Sequence, residues 1–195
     1  MPEAAVGDVV RGDQGARDAE LQLIVATDAD VPAVVELINR AFRGHGGDAS
    51  WNTEADYIEG TRTTKEMLSE EIATRPDARL LLWRKPDNTL LGCVWLQPEE
   101  NGVWYLGSLT IEPQQQKAGL GHKLLAAAED WARARGAHEI KMTVVHIRTA
   151  LLEWYARRGY MLTGEMKPFP YGDERYGRPT RDDLYFVVLS KRLKS

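Results

Sequence analysis

The stretch Tyr105-Leu-Gly-Ser-Leu-Thr-Ile-Glu-Pro-Gln-Gln-Gln-Lys-Ala-Gly-Leu-Gly121 joins the end of an apolar strand to the start of a helix through two closely spaced glycines. Such a junction can build an anion hole. A helix N-terminus presents unpaired amides and partial positive charge, and Gly119 and Gly121 let a phosphate approach the backbone closely. Lys117 and Lys123 would add charge at the rim. Taken alone, the segment fits either a phosphate cradle or a plain tight turn between strand and helix. Two other phosphate loops do not fit: the chain has no G-x-x-x-x-G-K-[ST], and Gly119-Leu-Gly121 is not followed by the third glycine of a dinucleotide fingerprint. A dinucleotide fold would also place its loop after the first strand of a parallel unit, whereas this loop follows an antiparallel meander.

That meander is read from the three runs Leu80 to Arg84, Leu90 to Leu96 and Val103 to Ile111. Pro86, Asp87 and Asn88 break the first pair, and Asn101-Gly102 suits a tight turn that needs positive φ at both central residues. Before the meander, Leu21 to Ala26 reads as a short strand. Thr27, Asp28 and Asp30 then offer caps for a helix whose stripe is Val31, Val34, Val35, Ile38 and Phe42, stopped by Gly44. Residues 45 to 62 hold too many Gly, Asp and Asn to be regular throughout, and Thr63 with Glu66 has the spacing of a capping box for a second helix. After Gly121 a periodic helix runs through Leu124, Ala127, Ala128 and Trp131 to Gly136, and a strand follows near Glu139 to Val145. A short helix over Thr149 to Arg158 and two strands, near Tyr160 to Glu165 and Leu184 to Leu189, complete an α/β order with a mixed sheet.

The 195 residues carry 25 Lys and Arg against 29 Asp and Glu, a net charge of −4, with 43% hydrophobic residues. That is enough for one core without disulfides or structural metal. We expect residues 1 to 19 to be a tail and residues 20 to 195 a single domain. The single Cys93 excludes an intrachain disulfide and a thiolate-rich metal site, and its apolar neighbours make it a core residue. The four His lack zinc spacing, so no metal is expected. With no basic block, no apolar span and no signal or transit pattern in the first residues, we expect a cytoplasmic protein engaging neither nucleic acid nor membrane.

Gln116-Lys-Ala-Gly119-Leu-Gly121 resembles the Gln/Arg-x-x-Gly-x-Gly/Ala signature of the GNAT superfamily of acyl-CoA-dependent N-acyltransferases. The preceding Leu-Thr-Ile-Glu-Pro is similar to that family's fourth strand, and Leu-Leu-Glu-Trp-Tyr155-Ala-Arg-Arg-Gly159-Tyr160 is similar to its late helix. The likeness covers roughly residues 21 to 190 and implies a fold of about seven strands with four helices. It implies acetyl-CoA as acyl donor, its pyrophosphate held at Gln116, Lys117, Ala118, Gly119, Leu120 and Gly121, and its pantetheine arm along Leu109, Thr110 and Ile111. Trp51-Asn-Thr-Glu-Ala-Asp56 through Gly60-Thr-Arg62 also resembles a stretch of poorly characterised bacterial and fungal members, and names no substrate. Where many members carry Asn, this chain has Arg148, which would either reach a cofactor phosphate or substrate carboxylate or stand in solvent.

The resemblance places Leu109 at a strand bulge, its amide aimed at the thioester carbonyl, and makes Tyr155 the general acid for the departing thiolate. The residue alone would equally suit a tyrosine packed on an amphipathic helix. No base is assigned: Tyr105 aligns with a catalytic Glu of some relatives but a phenol is a poor base at neutral pH, and Glu54, Glu112 and His146 are substitutes that an already neutral amine would make unnecessary. Trp51, Glu54 and Tyr105 are candidate substrate contacts. Residues 48 to 71 carry seven acids, Asp48, Glu54, Asp56, Glu59, Glu66, Glu70 and Glu71, against Arg62 and Lys65, so a cleft facing them would prefer a cationic amine. Aromatics of Pro168 to Pro179 would close over the acceptor. The expected reaction is direct acetyl transfer to a primary amine of a small molecule, amino acid or peptide. The rivals are a non-catalytic acyl-CoA binding or regulatory module and an interaction protein with a basic C-terminal segment. Exposed sheet edges would suit a homodimer.

Overall fold

The computed structural model describes residues 22–44 and 53–194, with the backbone alone at 116–118. The tail expected over residues 1 to 19, and Trp51, lie outside the described residues. In chain order the elements are β1 (Leu23–Val25), α1 (Val31–Arg43), β2 (Ile58–Glu59), α2 (Lys65–Thr74), β3 (Arg79–Arg84), β4 (Leu90–Pro98), β5 (Val103–Ile111), α3 (Leu120–Arg133), β6 (Glu139–Val145), α4 (Thr149–Ala156), β7 (Met161–Pro168), β8 (Arg178–Pro179) and β9 (Tyr185–Arg192). Seven strands form one mixed sheet in the order β1-β3-β4-β5-β6-β9-β7, in which only β5 and β6 run parallel.

Alternation along β3 and β4 covers both faces of the sheet. Leu80, Leu82, Cys93 and Trp95 pack under α1 with Val34, Leu37, Ile38 and Phe42. Leu81, Val94 and Leu96 point the other way, against Leu124, Leu125, Ala128 and Ala132 of α3. A period of two on strands and a stripe on each helix therefore meet in two apolar layers. The expected turn at Asn101-Gly102 is present, with φ of 54° and 67°.

One helix start differs from the sequence reading. Thr64, not Thr63, caps α2, its Oγ1 accepting from the Met67 amide at 3.2 Å. The register moves because Asn39 on α1 already holds the preceding residues: its Oδ1 accepts from the Arg62 and Thr63 amides at 2.7 and 3.2 Å, and its Nδ2 donates to the Thr63 carbonyl at 2.9 Å. A tertiary contact thus holds Thr63 outside the helix. The two-residue ribbon β2-β8 has no sequence signal of its own. It ties the α1–α2 connection to the β7–β9 connection, and Gly177 makes it possible. With φ at 85°, a Cβ there would stand 2.5 Å from the Glu59 carbonyl oxygen.

Candidate active site

The site begins where two strands part. β5 and β6 pair only at Val103, Trp104 and Tyr105 against Glu139, Ile140 and Lys141. Beyond that point the Tyr105 hydroxyl meets Thr143 Oγ1 at 3.2 Å across the fork, and a cavity of about 510 Å³ opens between the strands. β5 carries one extra residue here. Cys93 faces Thr110 while Trp95 faces Gly107, so three residues of β5 span what two of β4 span, with Ser108 left-handed at φ 49°. The bulge changes the parity of the strand: Trp104 and Leu106 share a face with Leu109 and Ile111, which an unbroken strand would not allow. The Ser108 carbonyl accepts from Thr110 Oγ1 at 2.8 Å. Cys93 lies beneath as a core residue, its thiol pushed up to about 12 by burial.

Leu109, Tyr105, Glu54, Arg148 and Tyr155 all line this cavity. Tyr155 is 6% exposed, set by α4 against Tyr160 with ring centroids 5.5 Å apart. Burial holds its phenol above the ordinary value, so it stays protonated across the neutral range. Phe169 and Tyr176, from the loop expected to cover the acceptor, complete the wall. Glu112 and His146 do not line it: Glu112 is engaged by Arg40 at 2.8 Å, and His146 stacks on Tyr185 at 3.8 Å.

The charge of the cavity reverses the expectation drawn from the acidic run. Among the described residues of that run, Glu54 lines the main cavity, where Arg43 at 2.7 Å and Arg148 at 3.6 Å converge on its carboxylate, while Glu70 and Glu71 line an adjoining pocket. Arg148 is no solvated arginine, its side chain being 9% exposed. Glu59 pairs with Arg178 on the ribbon, and Glu71 with Arg75 at 2.6 Å. The described lining holds Arg43, Arg62, Arg75, Arg148 and Lys167 against Glu54 and Glu99. Folding brings arginines from four separate segments to one place, which a local count of acids cannot register. Arg43 and Arg62 had no sequence signal as site residues beyond their places at a helix end and in a quoted loop.

At the other end of the bulged strand, a 3₁₀ helix over Pro113–Ala118 leads to Gly119, left-handed at φ 70°, which stands at the N-cap of α3. Among the described residues no side chain caps this helix start, and none stands within 4 Å of a Cβ built on Gly119. The first-turn amides thus have open space beside them, which fits a bound phosphate. Side chains of Gln116, Lys117 and Ala118 lie outside the described residues.

A mixed seven-stranded sheet that forks at a bulge, beside an uncapped helix start, defines the acyl-CoA N-acyltransferase fold. The chain belongs to the acetyltransferase (GNAT) family, whose model matches residues 31–160. It is 30% identical over 132 residues to a mycothiol acetyltransferase of Saccharopolyspora erythraea, covering 67% of this chain and 40% of that protein. It is 32% identical over 146 residues to a mycothiol acetyltransferase of Clavibacter michiganensis subsp. michiganensis, covering 73% and 43%. The chain therefore spans about two fifths of the length of the curated relatives it matches. Among solved structures, a ribosomal-protein-alanine N-acetyltransferase from Brucella melitensis superposes with a TM-score of 0.63 at 20% identity, covering 89% of this chain and 100% of that one, a likeness of fold. Among the described residues no helix is long and apolar enough to cross a membrane.

Proposed function

We propose that this chain is an N-acetyltransferase that moves an acetyl group from acetyl-CoA directly to a primary amine in a ternary complex. The observation that carries this reading is the fork between β5 and β6, with the Ser108–Leu109 bulge and the Tyr155 phenol on one cavity. Bound acetyl-CoA supplies the activated acyl group. The first turn of α3, which begins at Gly119, would hold its pyrophosphate on backbone amides, and the pantetheine arm would lie along Leu109 to Ile111; the space beside Gly119 among the described residues supports this.

Each step then has a residue. The Leu109 amide donates to the carbonyl oxygen as negative charge develops there, and the amine forms the new C–N bond as the C–S bond breaks. Tyr155, neutral by burial, donates its proton to the leaving sulfur, and the proton shed by the acylated nitrogen returns through solvent to restore the phenol. Glu54 is engaged by two arginines and is a poor candidate for the base, so the amine enters as its neutral fraction. The acetyltransferase names of the two curated relatives support the class of reaction and leave the acceptor open.

The test is thermal stabilisation by acetyl-CoA, coenzyme A and longer acyl-CoAs, with thiol release measured across an amine library. A hundredfold excess over the dissociation constant stabilises by about 2.7 kcal/mol, a readable shift. Stabilisation with turnover supports the reading; stabilisation without turnover on any amine replaces it with an acyl-CoA binding module. Gly119→Asp, which sets a negative charge and a side chain where phosphate would bind, is expected to abolish the stabilisation, and full retention would reject the cradle.

A further inference from the structure

Arg62 is unlike the other cations of the cavity. Arg43 and Arg148 are engaged by Glu54, Arg75 by Glu71, and Lys167 stands 3.8 Å from Glu165. The Arg62 guanidinium makes neither an ion pair nor a hydrogen bond among the described residues, and lies over the face of Phe42, 5.6 Å from the ring centroid. It is half-buried, so it has given up part of its water without gaining a counter-charge. Nor is its place accidental. Asn39 fixes the backbone of Arg62 and Thr63 with three hydrogen bonds, and the guanidinium lies over Phe42, one helical turn further along α1. A cation so positioned is organised before any ligand arrives.

What it faces is the acceptor side of the fork. Arg62 belongs, with Tyr105, Gly107 and Ser108, to the wall shared by the main cavity and an adjoining pocket of about 420 Å³. An amine approaching the bulge at Ser108–Leu109 therefore passes beside this guanidinium. Cations outnumber acids in the described lining of both the main cavity and the adjoining pocket, although Glu70 and Glu71 belong to the latter, and the balance disfavours a second ammonium group and favours an anion.

We propose that the acceptor is an amine that also carries an oxyanion, a carboxylate or a phosphonate-like group, and that Arg62 binds that oxyanion through its forked N–H donors. The proposal uses the acetyl-transfer reading only to say where the acceptor lies. Arg62 is then a specificity residue: it selects and orients the acceptor without entering the chemistry.

The experiment compares matched probes, free amino acids, their carboxamides and the corresponding aminoalkylphosphonates. Binding to the coenzyme A-loaded protein is read by calorimetry, and turnover with acetyl-CoA by thiol release. The acids, the phosphonates or both should bind roughly ten- to hundredfold more tightly than the carboxamides. Which of the two binds better tells carboxylate from phosphonate. Arg62→Gln should bring the anionic and neutral probes within about twofold of each other by raising KM for the anionic ones, and Arg62→Lys should restore part of the gap. Circular dichroism and coenzyme A affinity of both variants check that the site is folded. Equal binding of acid, phosphonate and amide, no binding of any of them, or a preference that survives Arg62→Gln would overturn the proposal. Anion-selective binding without thiol release would uphold it while removing the acetyl-transfer reading, and thiol release blind to the anion would do the reverse.

Discussion

Two largely buried glutamates in this protein are held by two partners each, and they do different work. Glu129 of α3 accepts from the Tyr160 hydroxyl at 2.8 Å and from Lys191 of β9 at 2.6 Å. One anion meets one cation and one neutral donor, so the cluster is balanced, and it fastens α3 to the far strands. Glu54 meets two guanidiniums, Arg43 and Arg148, with all three side chains about a tenth exposed. These three groups sum to one positive charge, and they line the cavity. The same device, a carboxylate between two donors, locks the fold where it closes and sets the electrostatics of a site where it does not.

Breaking the Glu54 cluster has the largest expected effect. Glu54→Ala leaves two arginines facing each other out of water and should cost about 3–5 kcal/mol, the loss typical of removing one partner from a buried ion pair. Urea unfolding measures it, and a loss below about 1 kcal/mol would mean that the arginines are neutralised elsewhere. The two tyrosines that touch through their rings, Tyr155 and Tyr160, give a matched pair. Tyr155→Phe should lower kcat by roughly 10² to 10⁴ with acetyl-CoA affinity nearly intact. Because burial raises the Tyr155 phenol above its ordinary value near 10, its own deprotonation should not limit kcat below about pH 10. An alkaline limb near pH 8 that disappears in Tyr155→Phe would contradict this.

Tyr160→Phe should show the opposite profile. It removes a donor from Glu129 and costs about 1–3 kcal/mol of stability, with kcat unchanged, in paired unfolding and kinetic measurements. A rate effect as large as that of Tyr155→Phe would erase the distinction between the two clusters. The smallest effect belongs to neither of them. Thr64→Ala removes the cap of α2 and should cost about 1 kcal/mol, a scale for a purely local contact.

Much of the fold was legible because it is written in local periods. The apolar stripe of α1, the two-residue alternation of β3 and β4, and Asn101-Gly102 each encode their own structure over a few residues. The glycine pair after β5 was equally legible, since a helix start without a side-chain cap is a local property. Leu109 and Tyr155 were found by resemblance, and the structure brings both to one cavity. The roles of Glu54, Arg43 and Arg62 were not legible. Counting charges over residues 48 to 71 pointed to an acidic cleft, whereas Glu54, Glu59 and Glu71 are each engaged by an arginine. The Thr63 cap failed for the same reason, because Asn39 reaches it from 24 residues away.

By itself, then, the sequence determined which segments become strand or helix, where α3 starts on a glycine, and the family. Those follow from side-chain spacing and backbone freedom, which act between near neighbours in the chain. Tertiary structure alone decided the sign of the charge on the described cavity lining, the β2–β8 ribbon and the place of Arg62 in that lining. Electrostatic pairing depends on distance in space and on burial, and residues 43, 54, 62 and 148 acquire both only when the chain has folded.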